Sequence, residues 1–203
     1  MHPPLLFIEG VAPLGQAFFH LPLWREYGRA IRVYDLDAQC LEGVQAVLVA
    51  GHVDQRALQA RQSLLDHYLQ QGGSMVINGH VAYPFLPMLR PFVPLAERNM
   101  AGLQVQRLME HPVFRGVDTY DLTYRRGVAG FYGRGHNPLP PGAKAIHGIG
   151  PQALPLDWEL PLAGAGRLLV HGGNDLWMYA ADNTSARRIA PQLLEWLLEG
   201  VTV

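Results

Sequence analysis

Short apolar segments that end next to glycine recur along this chain, and they restrict its fold more than any other feature. Residues 46–51 (AVLVAG) and 75–79 (MVING) carry no charge over their whole length. Uncharged runs of this length are typical of parallel β-strands that are covered by helices on both faces. The recurrence therefore predicts an α/β protein built around a buried, mainly parallel sheet.

Helical patterns fill much of the sequence between these runs. The clearest predicted helix occupies residues 54–73, with Asp54 as its N-terminal cap and a pair of glycines at its end. Its apolar positions recur at helical spacing, at Leu58, Leu64, Leu65, Tyr68 and Leu69. A closing helix is predicted within residues 185–200, where Ser185 is the candidate cap and Pro191 indicates either a kink or a later start.

The order of these elements predicts a flavodoxin-like fold. Five strands are expected in a parallel sheet with helices on both faces, at residues 5–10, 30–35, 46–51, 74–78 and 167–171. Residues 111–163 are rich in glycine, proline, tyrosine and histidine, and they predict antiparallel strands at one edge. We therefore expect a three-layer α/β sandwich with a mainly parallel sheet and an antiparallel edge extension. The length of 203 residues suits a single domain, residues 1–203, or one domain with an insertion.

The middle of the chain indicates its elements less clearly. Short antiparallel strands are expected at residues 119–126 (TYDLTYRR), 129–135 (AGFYGRG) and 144–150 (KAIHGIG). Residues 103–110 (LQVQRLME) fit either a strand or a short helix. The proline-rich residues 83–101 are typical of a loop with short helical turns.

The charge balance excludes some classes of partner. Charged residues make up only 16% of the chain and the formal net charge is −1, so no general attraction to nucleic acid or anionic lipid is expected. No apolar run reaches the roughly 20 residues that span a bilayer. The N-terminal MHPPLLFIEG also lacks the basic start of a signal peptide. We therefore expect a cytoplasmic protein of bacterial type that binds neither nucleic acid nor membrane.

Polar residues and glycines gather where the predicted strands end. In an open parallel sheet, ligands bind outside the carboxyl ends of the strands, and neighbouring strands lie only about 4.8 Å apart. The residues expected there are Glu9, Gly51, His52, Asn78, Gly79, His80, His171 and Asp175. Three histidines that follow three separate strands could therefore meet across one cleft. Each could also be a buried, hydrogen-bonded structural residue.

The residue types at this edge allow two kinds of chemistry. Neutral imidazoles beside carboxylates can act as general acid and base, or they can ligate a metal such as Zn²⁺. No HExxH or other tight ligand spacing is present, and the single cysteine, Cys40, excludes a thiolate metal cage. We therefore assign no metal and no cofactor. His80 and His171 are the candidate catalytic residues, and the other strand-end residues are candidate ligand-binding residues.

Four segments together resemble the class I glutamine amidotransferase-like superfamily, and within it the trehalose-utilisation (ThuA-like) branch. YLQQGGSMVINGH is similar to the helix, Gly-Gly, strand and histidine segment of that family, and AVLVAGH to the strand that ends in its oxyanion-loop glycine. EHPVFRGV is similar to its HPxxxG element, and GAGRLLVHGGNDLW to its late strand ending in histidine. The resemblance implies the flavodoxin-like core and a site at the strand ends.

The resemblance also implies a missing nucleophile. Working amidotransferases carry cysteine in a Gly-x-Cys-x-Gly elbow, whereas NGHVA places His80 at the cysteine position, Asn78 for the first glycine and Ala82 for the last. The late-strand histidine of the family would match His171, and its acidic partner would fall at Gly173. Acyl transfer by a Cys–His pair needs a thiolate next to its base. The resemblance therefore implies no glutaminase activity, because Cys40 precedes the third strand and cannot substitute.

Three functional hypotheses follow. The first is a domain that binds a small polar ligand, for example a carbohydrate, or a partner protein through the strand-end cleft. The second is a histidine-based acid–base or metal-assisted enzyme that acts on a sugar-like substrate. The third is an assembly subunit, for example a homodimer, in which the segment AYPFLPMLRPFVPL forms an exposed patch. The alternative for that segment is a loop packed over its own core.

Overall fold

The computed structural model describes residues 3–10, 22–97, 99–162, 164 and 166–199, although the side chains of Leu23 and Arg126 are not described. The strands in chain order are β1 (Leu5–Glu9), β2 (Gly28–Arg32), β3 (Ala46–Val49), β4 (Ser74–Asn78), β5 (Val93–Pro94), β6 (Val105–Arg107), β7 (Gly135–His136), β8 (Lys144–Ile149), β9 (Leu154–Pro161) and β10 (Arg167–His171). The α-helices are α1 (Pro22–Arg25), α2 (Ala38–Leu41), α3 (Gln55–Gln59), α4 (Gln62–Gln70), α5 (Thr119–Tyr124) and α6 (Ile189–Leu198). Short 3₁₀ helices occur at Val33–Asp35, Pro112–Phe114, Arg125–Gly127, Leu176–Ala181 and Ser185–Arg188.

Eight of the described strands form one mixed sheet in the order β2-β1-β3-β4-β10-β9-β8-β6. The first five in this order are parallel to one another. β9, β8 and β6 continue the sheet in antiparallel pairs. β5 and β7 form a separate two-stranded antiparallel sheet. The predicted mainly parallel sheet with an antiparallel edge extension is therefore confirmed.

Apolar side chains leave the parallel strands alternately toward two separate cores. In β1, Leu5 and Phe7 belong to the core on the α6 face, whereas Leu6 and Ile8 belong to the core on the α2–α4 face. This division follows from the two-residue period of a strand, in which successive side chains point to opposite faces. Both faces of the sheet are covered, so the structure is the flavodoxin-like three-layer sandwich that the order of the predicted elements indicated.

The central predicted helix exists as two pieces. α3 ends at Gln59 and α4 begins at Gln62, and between them Arg61 donates side-chain hydrogen bonds to the carbonyl oxygens of Tyr34 and Leu36. The expected cap is present, because the Asp54 carboxylate accepts from the backbone N–H groups of Arg56 and Ala57. The glycine stop is also present, since Gly72 has a φ of +90°.

Several element predictions require correction. The segment TYDLTYRR was expected as a strand, but it forms α5, because Asp118 caps the Tyr120 N–H and starts a helix. In AGFYGRG only Gly135 belongs to a strand. The second strand was expected at residues 30–35, but it spans Gly28–Arg32 and is followed by a 3₁₀ turn.

Other predictions in this half of the chain fare differently. KAIHGIG forms β8 as expected, apart from its last residue, and residues 103–110 contain the strand β6. The closing helix begins late, at Ile189, with Pro191 in its first turn. Ser185 is not its cap, because the Ser185 hydroxyl donates to the Asp121 carboxylate instead. The expected stop at residue 200 lies outside the described residues.

The proline-rich segment after β4 packs over the protein's own core. Phe85, Leu86 and Leu89 are buried, with at most 2% of their surfaces exposed, in the core on the α2–α4 face. This is the alternative that competed with an exposed partner patch. In the described part of the chain, no helix is both long enough and apolar enough to cross a membrane.

Candidate functional site

A cleft of about 680 Å³ opens at the carboxyl edge of the parallel strands. Its walls are the turns that follow β3, β4 and β10 together with residues from the irregular segment before β7. Five of the eight residues that the sequence assigned to a site line this cleft, namely Gly51, His52, Gly79, His80 and Asp175. The structure thus brings residues from three strand ends into one space.

The three remaining site candidates do not line the cleft, and their position in the strands explains why. Glu9, Asn78 and His171 are the last residues of β1, β4 and β10. Side chains that still belong to a strand point to the faces of the sheet rather than off its edge. The five residues that line the cleft all lie beyond the last residue of their strand.

The floor of the cleft depends on two glycines that approach each other closely. Gly79 has a φ of +85°, in the left-handed region that favours glycine. A Cβ atom at Gly79 would lie 2.8 Å from the Cα of Gly51 and 2.9 Å from its carbonyl oxygen. The sharp turn expected at Gly79 is therefore present, but no helix follows it, because residues 80–92 form turns and irregular structure.

The Asp175 carboxyl group accepts a hydrogen bond from the backbone of the turn that follows β3. The Gly51 N–H donates to Asp175 Oδ1 at 2.7 Å. Burial raises the pKa of Asp175 to about 6, and the charge of Glu9 acts in the same direction, against the Gly51 hydrogen bond and the charges of His52 and His171. Asp175 is therefore a carboxyl group that takes up a proton at mildly acidic pH.

His80 is supported by an aromatic side chain. Its ring stacks on Phe92, with 3.6 Å between ring centroids and 14° between planes. Partial burial lowers the pKa of His80, and the charges of His52, His171 and Arg134 lower it further. The imidazole of His80 is thus neutral at pH 7, when it can accept a proton or a hydrogen bond.

Asn78 serves the framework beneath the cleft. Its side chain is 2% exposed. Nδ2 donates to the Val49 carbonyl oxygen and Oδ1 accepts from the Leu176 N–H, both at 3.1 Å. Asn78 therefore joins the ends of β3 and β4 to the segment that carries Asp175.

His171 belongs to a fully buried polar cluster of four residues, His147, Asp157, His171 and Tyr132. Asp157 lies opposite both histidines in the antiparallel register of β9 with β8 and β10. The Nδ1 atoms of His147 and His171 donate to different carboxylate oxygens of Asp157, and the Tyr132 hydroxyl also donates to Oδ2 at 2.6 Å. The carboxylate is thus held by three hydrogen bonds in the interior.

Charges and hydrogen bonds keep the Asp157 carboxyl group, at the centre of this cluster, ionised. Burial raises the pKa of Asp157, but the charges and hydrogen bonds of His171 and His147 outweigh burial and bring the pKa below its usual value. Burial and the neighbouring carboxylate raise the pKa of Tyr132, so its hydroxyl remains a donor. A Cβ atom at Gly173 would lie 2.8 Å from His171 Nε2, so the cluster lies directly beneath a glycine of the cleft.

Sequence patterns did not indicate several other residues of the cleft. Gln55 joins the start of α3 to the loop after β4, since its Nε2 donates to the His80 carbonyl oxygen and its Oε1 accepts from the Ala82 N–H, both at 2.7 Å. Arg56 lies over the Tyr83 ring, 4.7 Å from its centroid. Arg134 comes from the irregular segment before β7. None of these positions carries a distinctive motif, because their roles depend on which loops meet in three dimensions.

Among the residues that the structure describes, no group of three or more histidine, cysteine, aspartate or glutamate side chains is arranged to hold a metal ion. Comparison with known proteins adds no identity, since no family model matches the chain and no curated protein matches it significantly. The geometry of the cleft is therefore the basis for a functional proposal.

Proposed function

We propose that this protein binds a small polar ligand of carbohydrate type in the strand-end cleft and has no glutaminase activity. The observation that carries this proposal is the composition of the cleft. It combines imidazole, carboxyl, guanidinium and amide groups with the phenol ring of Tyr83, which is 42% exposed. Small-molecule sites of roughly 300–1,000 Å³ combine apolar surface with a few placed polar groups in this way.

The absence of glutaminase activity rests on two features of the resemblance to class I amidotransferases. The glycine that matches their oxyanion loop, Gly51, has its N–H group occupied by Asp175. The elbow position carries His80, and Cys40 does not line the cleft. The Cys40 thiol instead donates to the Asp35 carbonyl oxygen at 3.4 Å, in the segment before β3. Acyl transfer would need both a nucleophile and a vacant donor at this place.

The shape of the site favours a small molecule over a partner protein. Stable protein interfaces bury about 800 Å² on each partner, which calls for a broad surface, whereas this site is a concave space between loops. Tyr83 supplies an apolar face of the kind that packs against a sugar ring, while the polar groups around it match hydroxyl groups.

A thermal-shift panel tests the binding proposal. The panel contains methyl β-glucoside, methyl β-galactoside and trehalose. A ligand present at 100 times its Kd stabilises the native state by about 2.7 kcal/mol, so a bound member should raise Tm by several degrees. Tyr83→Ala should remove this shift. The matched control Tyr120→Ala, at a tyrosine that is 66% exposed outside the cleft, should retain it.

Two results would contradict the proposal. One is the absence of any Tm shift across the panel with the unmodified protein. The other is an equal shift in the Tyr83→Ala variant, since binding would then occur away from the cleft.

A second candidate function, acid–base catalysis on a sugar-like substrate, is favoured by one specific observation. His80 and Asp175 line the same cleft, and their surroundings move the two pKa values in opposite directions. Burial thus favours the protonated form of the Asp175 carboxyl group and the neutral form of the His80 imidazole, which are the forms needed for a general acid and a general base.

Turnover experiments separate catalysis from binding. NMR spectra of the same sugars incubated with the protein should show conversion that slows as the pH rises above about 6, where Asp175 loses its proton. Asp175→Asn should abolish conversion and preserve the thermal shift. A thermal shift without conversion at any pH would leave binding as the function and exclude the catalytic candidate.

A further inference from the structure

A second cavity adjoins the cleft and differs from it in chemistry. This cavity, the side chamber, has a volume of about 520 Å³. Its own walls are Phe92, Pro94, Leu95, Leu103 and Ala129, all of them apolar. His80 and Arg134 line both the cleft and the side chamber. The two spaces are therefore neighbours that share a boundary of two polar side chains.

Backbone pairing builds the wall of the side chamber. The Leu95 N–H donates to the Arg134 carbonyl oxygen at 3.0 Å, which continues the pairing of β5 with β7. The Phe92 N–H donates to the Val81 carbonyl oxygen at 2.7 Å and so fixes the ring on which His80 stacks. The first bond joins the apolar wall to the segment before β7, and the second joins it to the segment that follows β4.

A glycine keeps the boundary thin. Gly130 lines the cleft and has a φ of +75°. A Cβ atom there would lie 3.2 Å from Leu103 Cδ2 and 3.3 Å from Arg134 Nε. With no side chain at Gly130, the cleft comes directly against residues of the side chamber.

Arg134 supplies hydrogen-bond donors at the boundary. Its Nε donates to the Gly130 carbonyl oxygen at 3.0 Å, which orients the guanidinium group. Among the described residues Arg134 forms no ion pair, and its terminal nitrogens make no hydrogen bond. An exposed guanidinium held in this way is suited to bind an acceptor oxygen.

We propose that the ligand of the cleft is bipartite: a hydroxylated part occupies the cleft, and an apolar ring joined to it occupies the side chamber. Arg134 then lies at the linkage and binds its oxygen. This inference rests on the proposed binding function and extends it from polar ligands to glycosides with an apolar substituent. The space is ample, since an apolar cavity of roughly 150 Å³ already holds a benzene ring.

The side chamber can be tested without knowledge of the polar part. In an NMR titration with phenol, the signals of Leu95, Leu103 and Ala129 should shift. Leu103→Glu should remove these shifts because it places a charge in the chamber. The matched control Leu108→Glu, at a leucine that is 46% exposed and lines neither space, should keep them. Ala129→Phe, which fills the chamber without a charge, provides a second variant if Leu103→Glu does not fold.

The bipartite ligand is tested by paired glycosides. Phenyl β-glucoside and phenyl β-galactoside should bind about tenfold or more tightly than the corresponding methyl glycosides, because the phenyl ring is removed from water. The gain in affinity from the phenyl ring should vanish in Leu103→Glu, which places a charge in the side chamber, and in Ala129→Phe, which fills it. The affinity of both variants for methyl glycosides should remain.

The outcomes separate this inference from the function on which it rests. Equal binding of phenyl and methyl glycosides would overturn the bipartite ligand and leave the carbohydrate site in place. No phenol-induced shift at the side chamber would overturn it as well. Phenol binding there, together with no binding of any methyl glycoside, would contradict the carbohydrate proposal and support the apolar site.

Discussion

Among the residues that the structure describes, two groups of histidine and aspartate side chains lie near the carboxyl edge of the parallel strands, and they have opposite surroundings. In the buried cluster, Asp157 receives hydrogen bonds from His147, His171 and Tyr132, and all four side chains are removed from water. In the cleft, His52, His80 and Asp175 face an open space of about 680 Å³. The residue types are similar, yet only the second group can contact a ligand.

The contrast shows what decides the role of a polar residue in this fold. A buried carboxylate must be hydrogen-bonded, because an unpaired charge in the interior is costly. Once Asp157 is satisfied by three donors, its cluster holds β8, β9 and β10 together. Polar groups of the cleft that lack protein partners remain free for other molecules. The following predictions test this division, from the largest expected effect to the smallest.

The largest effect is expected for Asp157→Asn. The amide cannot accept from three donors and it removes the charge that the two imidazoles surround, so the free energy of unfolding should fall by about 3–5 kcal/mol. Urea unfolding followed by circular dichroism measures this loss. Asp66→Asn, at a half-exposed position on α4, is the control and should change stability by less than about 0.5 kcal/mol. A loss below about 1 kcal/mol in Asp157→Asn would mean that the cluster is not structural.

The next effect concerns the floor of the cleft. Gly79→Ala combines an unfavourable positive φ with a clash against Gly51, and it should cost about 2–4 kcal/mol. Gly43→Ala isolates the cost of the positive φ, because Gly43 has a φ of +70° and a Cβ atom there would meet nothing within 4 Å. This variant should lose about 1 kcal/mol of stability. Denaturant unfolding measures both losses. Equal losses in the two variants would show that the close approach of the two glycines has no energetic role.

A smaller effect, with a defined pH dependence, is expected for Asp175→Asn. The folded-state pKa of about 6 lies above the unfolded value of about 3.9, so the folded protein binds more protons between these values and loses stability as the pH rises through them. Asparagine does not titrate. The variant should therefore gain on the unmodified protein from about pH 4 to 6, by about 2 kcal/mol in total.

Denaturant unfolding at several pH values measures this gain. The stability difference between Asp175→Asn and the unmodified protein could instead stay constant from pH 4 to 7, or narrow as the pH rises. Either result would show that burial of the Asp175 carboxylate does not destabilise the folded protein.

The smallest effect on stability is expected for His80→Ala. Its ring is partly exposed and stacks on Phe92, so the loss should be about 1 kcal/mol or less, close to that of the exposed control His67→Ala. Binding of glycosides should nevertheless be abolished, because His80 lines both the cleft and the side chamber. Thermal unfolding with and without glycoside measures both quantities. A large fall in Tm with unchanged binding would place His80 with the buried cluster.

The parallel half of the sheet could be predicted from the sequence, and the antiparallel half only in outline. An uncharged run such as residues 46–51 can bury all of its side chains only when helices cover both faces of the sheet. The pattern therefore predicts a strand inside the sheet. In residues 119–126, aromatic and β-branched residues favoured a strand, but the cap at Asp118 and the burial of Leu122 and Thr123 on one face favour the observed helix. Local propensity was outweighed by tertiary packing.

The candidate site could be predicted only as accurately as the residue at which each strand ends. Site candidates that follow the last residue of their strand line the cleft, whereas Asn78 and His171, which are themselves last residues, do not. An error of one residue in the predicted end of a strand therefore decides whether a residue is assigned to the cleft. Asp157 could not be assigned to the cluster, because its partners depend on the register of three antiparallel strands. Arg134 gave no signal, since an irregular segment brings it to the site.

The glycines at the base of the cleft have a consequence for how its specificity can change. At Gly51 and Gly79 the floor is main chain, whose amide groups are the same in every sequence, and a Cβ atom at Gly79 would collide with Gly51. Substitutions that alter ligand preference must therefore fall on the rim, at positions such as Tyr83 and Arg134. A laboratory library that randomises the rim and leaves the glycine base untouched would sample new ligands in a scaffold that still folds.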